Sequence, residues 1–177
     1  EIDKNVLKFS KWFSDWNHDV LERPNTSMFI QDGRAFLRWS NVRYDVIIME
    51  PMSPLQAGVV NLYSKEFYEL ALNHLKKDGI LVQWLPLHLV GREDARSITQ
   101  TFNVFPKSSV WNSFLTRIVL LVGSREKINI DKNLFDTKLK SPELKKVAEE
   151  MKVMSFLDFA DFFITDSTHL SNFLKNA

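Results

Sequence analysis

The chain has 177 residues, 45% of them hydrophobic, with 23 basic against 22 acidic side chains and a formal charge of +1, the bulk of a globular domain with a sizeable core. Its balanced, scattered charge argues against nucleic acid as a partner, and the absence of cysteine excludes a disulfide frame and a thiolate metal site. The longest apolar runs, such as Ile118-Val119-Leu120-Leu121-Val122, are strand-sized and far short of a membrane span. In chain order, Val6, Phe9 and Phe13 recur at helical spacing and predict a helix between Asn5 and Trp16, which Pro24-Asn25 closes off. A short strand is expected over Ser27 to Gln31, a short helix over Arg34 to Asn41, and an apolar strand from Tyr44 to Glu50. Ser64 can cap a helix whose buried stripe is Phe67, Leu70, Ala71 and Leu75, reaching Lys76-Lys77 and stopped by Asp78-Gly79. Ile80 to Leu85 reads as a strand and Glu93 to Phe102 as a helix. Ser109 to Leu115 and Arg117 to Gly123 read as two antiparallel strands. From Asp131 onward the pattern is helical only, with Pro142 at a first helical turn before Glu143 to Met151, then Phe156 to Phe163 and Ser167 to Leu174.

The strand Tyr44 to Met49 is continuously apolar apart from Asp45, which fits a parallel strand covered on both faces, and it runs directly into Glu50. In open α/β sheets ligands sit beyond the carboxyl ends of such strands. Glu50 therefore stands where a ligand-binding or catalytic carboxylate belongs, and Pro51 and Pro54 stiffen the turn that follows it. Asp32-Gly33 follows the strand Ser27 to Gln31, and Gln83 lies late in the strand after Glu50, with Trp84 beside it. Taken alone, Asp32-Gly33 is also a common turn dipeptide, and Glu1 is also an ordinary solvated acid near a helix start. His88 follows a strand and could line the site, while His74 falls on a helix surface. No two histidines have the short spacing of a zinc site, so no metal is expected. The five tryptophans stand at core-like positions, which favours packing.

The segments Glu1-Ile2-Asp3, "DGRAFL" from Asp32, "YDVIIMEPMSP" from Tyr44 and "NLYSKEFYELALNHLKKDGILVQWLP" from Asn61 resemble the spermidine synthase family of aminopropyltransferases, and most of all its bacterial spermidine-synthase-like members. The similarity runs from Glu1 to about Gly123. The resemblance implies the Rossmann-like fold of S-adenosylmethionine-dependent methyltransferases: a mostly parallel sheet with a C-terminal antiparallel hairpin, here without the first strands. The resembling domain is expected over residues 1–126, and the helical pattern of the rest predicts an extension over 127–177 packed on it. It also implies transfer of an aminopropyl group from decarboxylated S-adenosylmethionine to an amine, with S-adenosylmethionine and methyl transfer as the alternative. By the same resemblance Glu1 receives the ribose hydroxyls, Asp32 the adenine amino group with Gly33 allowing close approach, and Glu50 the proton of the attacking amine. Ser53, Gln83 and Trp84 would contact the acceptor.

Against the family pattern, Gln31 replaces a glycine, Glu50 is a methylene longer than the usual aspartate, Ser53 replaces a second aspartate, and Trp84-Leu85 replaces a small residue and an acid. The five glycines never form a close pair, so the glycine-rich nucleotide loop has no counterpart in the chain. Residues are expected to precede Glu1, and the chain by itself is expected to bind nucleotide weakly and to be inactive. A non-catalytic binding or dimerisation domain on the same scaffold is the alternative. A cytoplasmic homo-oligomer is expected, associated through the edge of the strand Tyr44 to Glu50 or the helices beside it.

Overall fold

The computed structural model describes residues 1–115 and 117–170. They form two compact units, Glu1–Val42 and the part that begins at Arg43.

In the first unit Asp3 caps α1 (Lys4–Phe9), its carboxylate accepting from the Asn5 N–H. The single helix expected from Asn5 to Trp16 is broken into α1, a 3₁₀ turn Ser10–Phe13 and α2 (Ser14–Asn17). The cause is side-chain competition for the backbone: the Asn17 amide donates to the Ser10 carbonyl at 2.7 Å and the Ser14 hydroxyl to the Lys11 carbonyl at 2.8 Å. Trp12, Trp16 and Trp39 are 78%, 85% and 84% exposed, contrary to their expected burial. The expected strand over Ser27 to Gln31 is reduced to a short extended pairing. The Glu1 nitrogen donates to the Phe29 carbonyl at 3.1 Å and the Gln31 N–H to the Glu1 carbonyl at 2.9 Å, the signature of two parallel segments. Asp32 then caps α3 (Gly33–Trp39).

The second unit is a five-stranded sheet in the order β1-β2-β4-β3-β5. Its strands are β1 (Tyr44–Met49), β2 (Leu75–Pro86), β3 (Lys107–Asn112), β4 (Ile118–Ser124) and β5 (Phe163–Asp166). β1 and β2 are parallel and every other pair is antiparallel. A strand, helix, strand crossover joins the parallel pair through α4 (Lys65–Asn73), which Ser64 caps as expected. After β2 comes α5 (Arg92–Phe102). The register pairs Gln83 with both Met49 and Leu121, and Leu85 with Val119, so these side chains share one face of the sheet. On that face Tyr68, Phe102 and Phe105 form an aromatic cluster with ring centroids 5.1 Å (Tyr68–Phe102) and 4.8 Å (Phe102–Phe105) apart. On the opposite face Trp111 meets Phe159 at 5.1 Å, which docks α8 (Phe156–Ala160), and Phe159 meets Phe135 of α6 (Lys132–Leu139) at 5.0 Å. Pro142 opens α7 (Pro142–Met151), as its fixed φ predicts.

Two further expectations are corrected. Lys76-Lys77 and Asp78-Gly79 lie inside β2, not at the end of a helix: α4 ends at Asn73 because Tyr44 donates to the His74 carbonyl at 2.8 Å and opens the parallel ladder there. Gly79 permits this crossing, since a Cβ at that position would stand 2.7 Å from the Tyr44 carbonyl oxygen. The tail is not purely helical: Phe163–Asp166 is β5, paired with β3. Its β-branched Ile164-Thr165 fits a sheet edge, and Phe163 rests edge-on against Trp111 at 5.2 Å. Residues 167–170 are helical, and the rest of the helix expected over Ser167 to Leu174 lies outside the described residues. β1 forms one border of the sheet, where Val46 and Ile48 are 48% and 76% exposed.

Candidate active site

Glu50 follows β1 directly, at the carboxyl end of the parallel pair, and is exposed. Among the described residues its carboxylate engages no hydrogen bond or ion pair, which leaves both oxygens open to a ligand. The turn beyond it is held on two sides. From below, the Tyr63 hydroxyl donates toward the Met52 carbonyl at 2.9 Å and the Pro51 carbonyl at 3.3 Å. Burial pushes the Tyr63 hydroxyl up to about 12, so it remains a donor throughout the neutral range. From the side, the Ser53 hydroxyl donates to the Leu89 carbonyl at 3.2 Å, tying the loop after β1 to the loop after β2. That second loop is fixed in turn by the Leu87 N–H, which donates to the Arg117 carbonyl at 2.9 Å. His88 places a ring nitrogen 3.5 Å from the same carbonyl.

Trp84 and Gln83 separate. Trp84 is half-buried on the sheet face opposite Gln83, one residue beyond the Met49–Gln83 pair that ends the parallel ladder. Gln83, expected to touch the acceptor, is wholly buried. Its amide lies near the Tyr68 hydroxyl without forming a hydrogen bond of good geometry, so both amide atoms and the hydroxyl are unpaired. Burial raises the Tyr68 hydroxyl far above its ordinary range. Two buried polar groups that satisfy neither each other nor anything else weaken the core. The double variant Tyr68→Phe/Gln83→Met is expected to be more stable than the parent by about 1 kcal/mol or more in urea unfolding, and a loss of stability would show that the pair contributes. Tyr63→Phe is expected to cost about 1–2 kcal/mol in the same measurement, because its two carbonyl acceptors lose a buried donor.

In the first unit the structure brings Glu1 and Asp32 to the same end of the parallel pairing. One oxygen of Glu1 accepts the N–H groups of Ile2 at 2.9 Å and Asp3 at 3.0 Å. These bonds, that from Asp3 foremost, hold its carboxyl below the usual range and keep it an acceptor. Asp32 uses Oδ1 to cap α3, accepting from the Ala35 N–H at 2.7 Å, and keeps its other oxygen. At Gly33 a Cβ would meet nothing within 4 Å, so no packing inside the chain demands a glycine there. Sequence reasoning did not single out Tyr63; its signal is a tyrosine placed just before a serine N-cap, downstream of a Pro-flanked acidic turn. Among the described residues no group of three or more His, Asp or Glu side chains is arranged to hold a metal, and no helix is long and apolar enough to cross a membrane.

Residues 1–119 match the family model of the spermine/spermidine synthase domain. The chain belongs to the spermine/spermidine synthase family. A polyamine aminopropyltransferase of Clostridium perfringens (strain SM101 / Type A) is 37% identical over 82 residues, 46% of this chain and 29% of that protein. One of Alkaliphilus metalliredigens (strain QYMF) is 31% identical over 116 residues, 64% of this chain and 40% of that protein. The chain thus spans well under half the length of these curated family members. The fold is that of a spermidine synthase solved with the transition-state analogue AdoDATO, with a TM-score of 0.69 at 20% identity over 87% of this chain and 60% of that one. Human methyltransferase-like protein 13, solved with SAH, superposes with a TM-score of 0.57 at 17% identity over 87% and 68% of the two chains. The family's α/β architecture and its kinship with the methyltransferase fold agree with the reading of the sequence.

Proposed function

We propose that the chain is the nucleotide- and acceptor-binding part of an aminopropyltransferase whose proton acceptor is Glu50. The observation that carries this reading is an exposed, unpaired carboxylate at the carboxyl end of β1 in a domain of the spermine/spermidine synthase family. An amine attacks only when neutral, and a carboxylate within reach of its nitrogen can take the proton that the nitrogen sheds. In the proposed step the nitrogen lone pair forms a bond to the aminopropyl carbon next to the sulfonium of decarboxylated S-adenosylmethionine. The carbon–sulfur bond breaks, its electrons pass to sulfur to give methylthioadenosine, and the proton of the new ammonium goes to Glu50. The free oxygen of Glu1 would take the ribose hydroxyls and that of Asp32 the adenine amino group, with the open space at Gly33 admitting the base.

The acceptor is read from what surrounds Glu50. Ser53 carries no charge and its hydroxyl is already given to the Leu89 carbonyl, and Gln83 is buried, so neither supplies a second anion for a dication. Half-buried Trp84 offers an apolar or cation–π surface instead. An amine with one cationic end fits better than a free diamine. The test is methylthioadenosine release by the complete gene product from decarboxylated S-adenosylmethionine, with putrescine and a set of monoamines as acceptors. Release favouring monoamines is expected, faster release with putrescine would overturn the acceptor class, and release with none would overturn the transferase reading.

A further inference from the structure

Because the Glu50 carboxylate has no partner among the described residues, its place is set by the main chain that carries it. Upstream that chain is β1, tied to β2 as far as the Met49–Gln83 pair. Downstream it is Pro51-Met52-Ser53-Pro54, in which the two prolines fix φ and supply no N–H. Among the described residues neither the Pro51 nor the Met52 carbonyl accepts a backbone N–H. Both are met instead by a single side-chain group, the Tyr63 hydroxyl, at 3.3 and 2.9 Å.

Tyr63 is itself firmly placed. It is 5% exposed and ends the 3₁₀ turn Val59–Tyr63, and the next residue, Ser64, caps α4 by accepting from the Phe67 N–H at 3.2 Å. α4 in turn buries Phe67, Tyr68 and Ala71. The ring is thus anchored in the core, and its polar end is the one described side-chain donor to the two residues that follow Glu50. Phenylalanine at this position would keep the ring and lose only the donor.

We propose that Tyr63 is a positioning residue for the transfer: through the Pro51 and Met52 carbonyls it holds the turn so that the Glu50 carboxylate stays where the amine sheds its proton. The inference rests on the reading of Glu50 as proton acceptor. A misplacement of about 1 Å by a change away from the reacting atoms can cost as much as a hundredfold in rate. The nucleotide contacts assigned above belong to Glu1 and Asp32, so loss of the hydroxyl is expected in kcat and not in nucleotide affinity.

The test is a cycle of four complete gene products, the parent, Tyr63→Phe, Glu50→Gln and the double variant, assayed for methylthioadenosine release under conditions where urea unfolding shows each to be folded. Tyr63→Phe is expected to lower kcat about tenfold with nucleotide affinity within about twofold of the parent. In the Glu50→Gln background the same change is expected to lower kcat less than about twofold, because no proton acceptor is left to misplace. Gly123→Ala, which crowds Phe105 from β4, is the control for lost stability and is expected to keep the parent's kcat. Parental kcat in Tyr63→Phe with Glu50→Gln slowed would overturn the positioning role and leave the Glu50 reading standing. Parental kcat in Glu50→Gln would overturn that reading and the inference with it. Equal slowing by Tyr63→Phe in both backgrounds, or equal slowing by Gly123→Ala, would show that the hydroxyl acts on the fold at large and not through Glu50, and would also overturn the proposal.

Discussion

Glu50→Gln in the complete gene product is expected to lower the rate of methylthioadenosine release by roughly a hundredfold or more while nucleotide affinity stays within about twofold of the parent. Glutamine keeps the size and hydrogen-bonding reach of the side chain and removes only its ability to take a proton. Because Glu50 is exposed and without partners, the substitution breaks no contact of the fold, so a loss of turnover reports on chemistry and not on stability. The control is direct: urea midpoints of the two proteins should coincide. Equal turnover in variant and parent would remove Glu50 from the proposed mechanism.

Phe105→Ala is expected to be among the most destabilising single changes in the chain, costing about 3–5 kcal/mol. The ring is 2% exposed, stands 4.8 Å from Phe102 and 6.1 Å from Tyr68, and lies over Gly123 of β4. A Cβ at Gly123 would collide with Phe105 Cγ, and the ring would have to shift within a closed cluster to admit it. Gly123→Ala alone should therefore cost about 1–3 kcal/mol through overpacking. In the Phe105→Ala background the same methyl enters the space the ring has vacated. The two changes should be strongly non-additive, the double variant being more stable than the sum of the singles by about 1 kcal/mol or more. Urea unfolding of the four proteins measures this, and strict additivity would mean that the ring does not rest on the glycine.

The alternation of helix and strand through Ser124, the Ser64 cap, the apolar strand ending at Glu50 and the turn beyond it were all legible in the sequence, because each depends on neighbours close along the chain: a 3.6-residue period, a cap three residues from its N–H, a proline's fixed φ. What escaped depended on partners distant in sequence. Lys76-Lys77 continue a helical period, yet they lie in β2 because Tyr44 begins its ladder at His74 and Leu75, some thirty residues upstream. Phe163 ended one expected helix and Ile164 to Asp166 fell between it and the next, and only β3, with Trp111 as aromatic partner, makes the four a strand. Gln83 sits at a position that alternation alone cannot orient, and the pairing with Met49 on one side and Leu121 on the other turned it into the core. Tyr63 became part of the site when its hydroxyl reached the carbonyls behind Glu50 across a loop whose path no local period describes. The sequence by itself thus determined the capped helices, the apolar strands of the sheet through Ser124 and where the carboxylate stands, since those rest on short-range sterics and hydrogen bonding. Tertiary structure alone decided which faces close over the core and which side chains hold the turn after Glu50, because strand register and loop closure are settled by contacts between segments far apart in the chain.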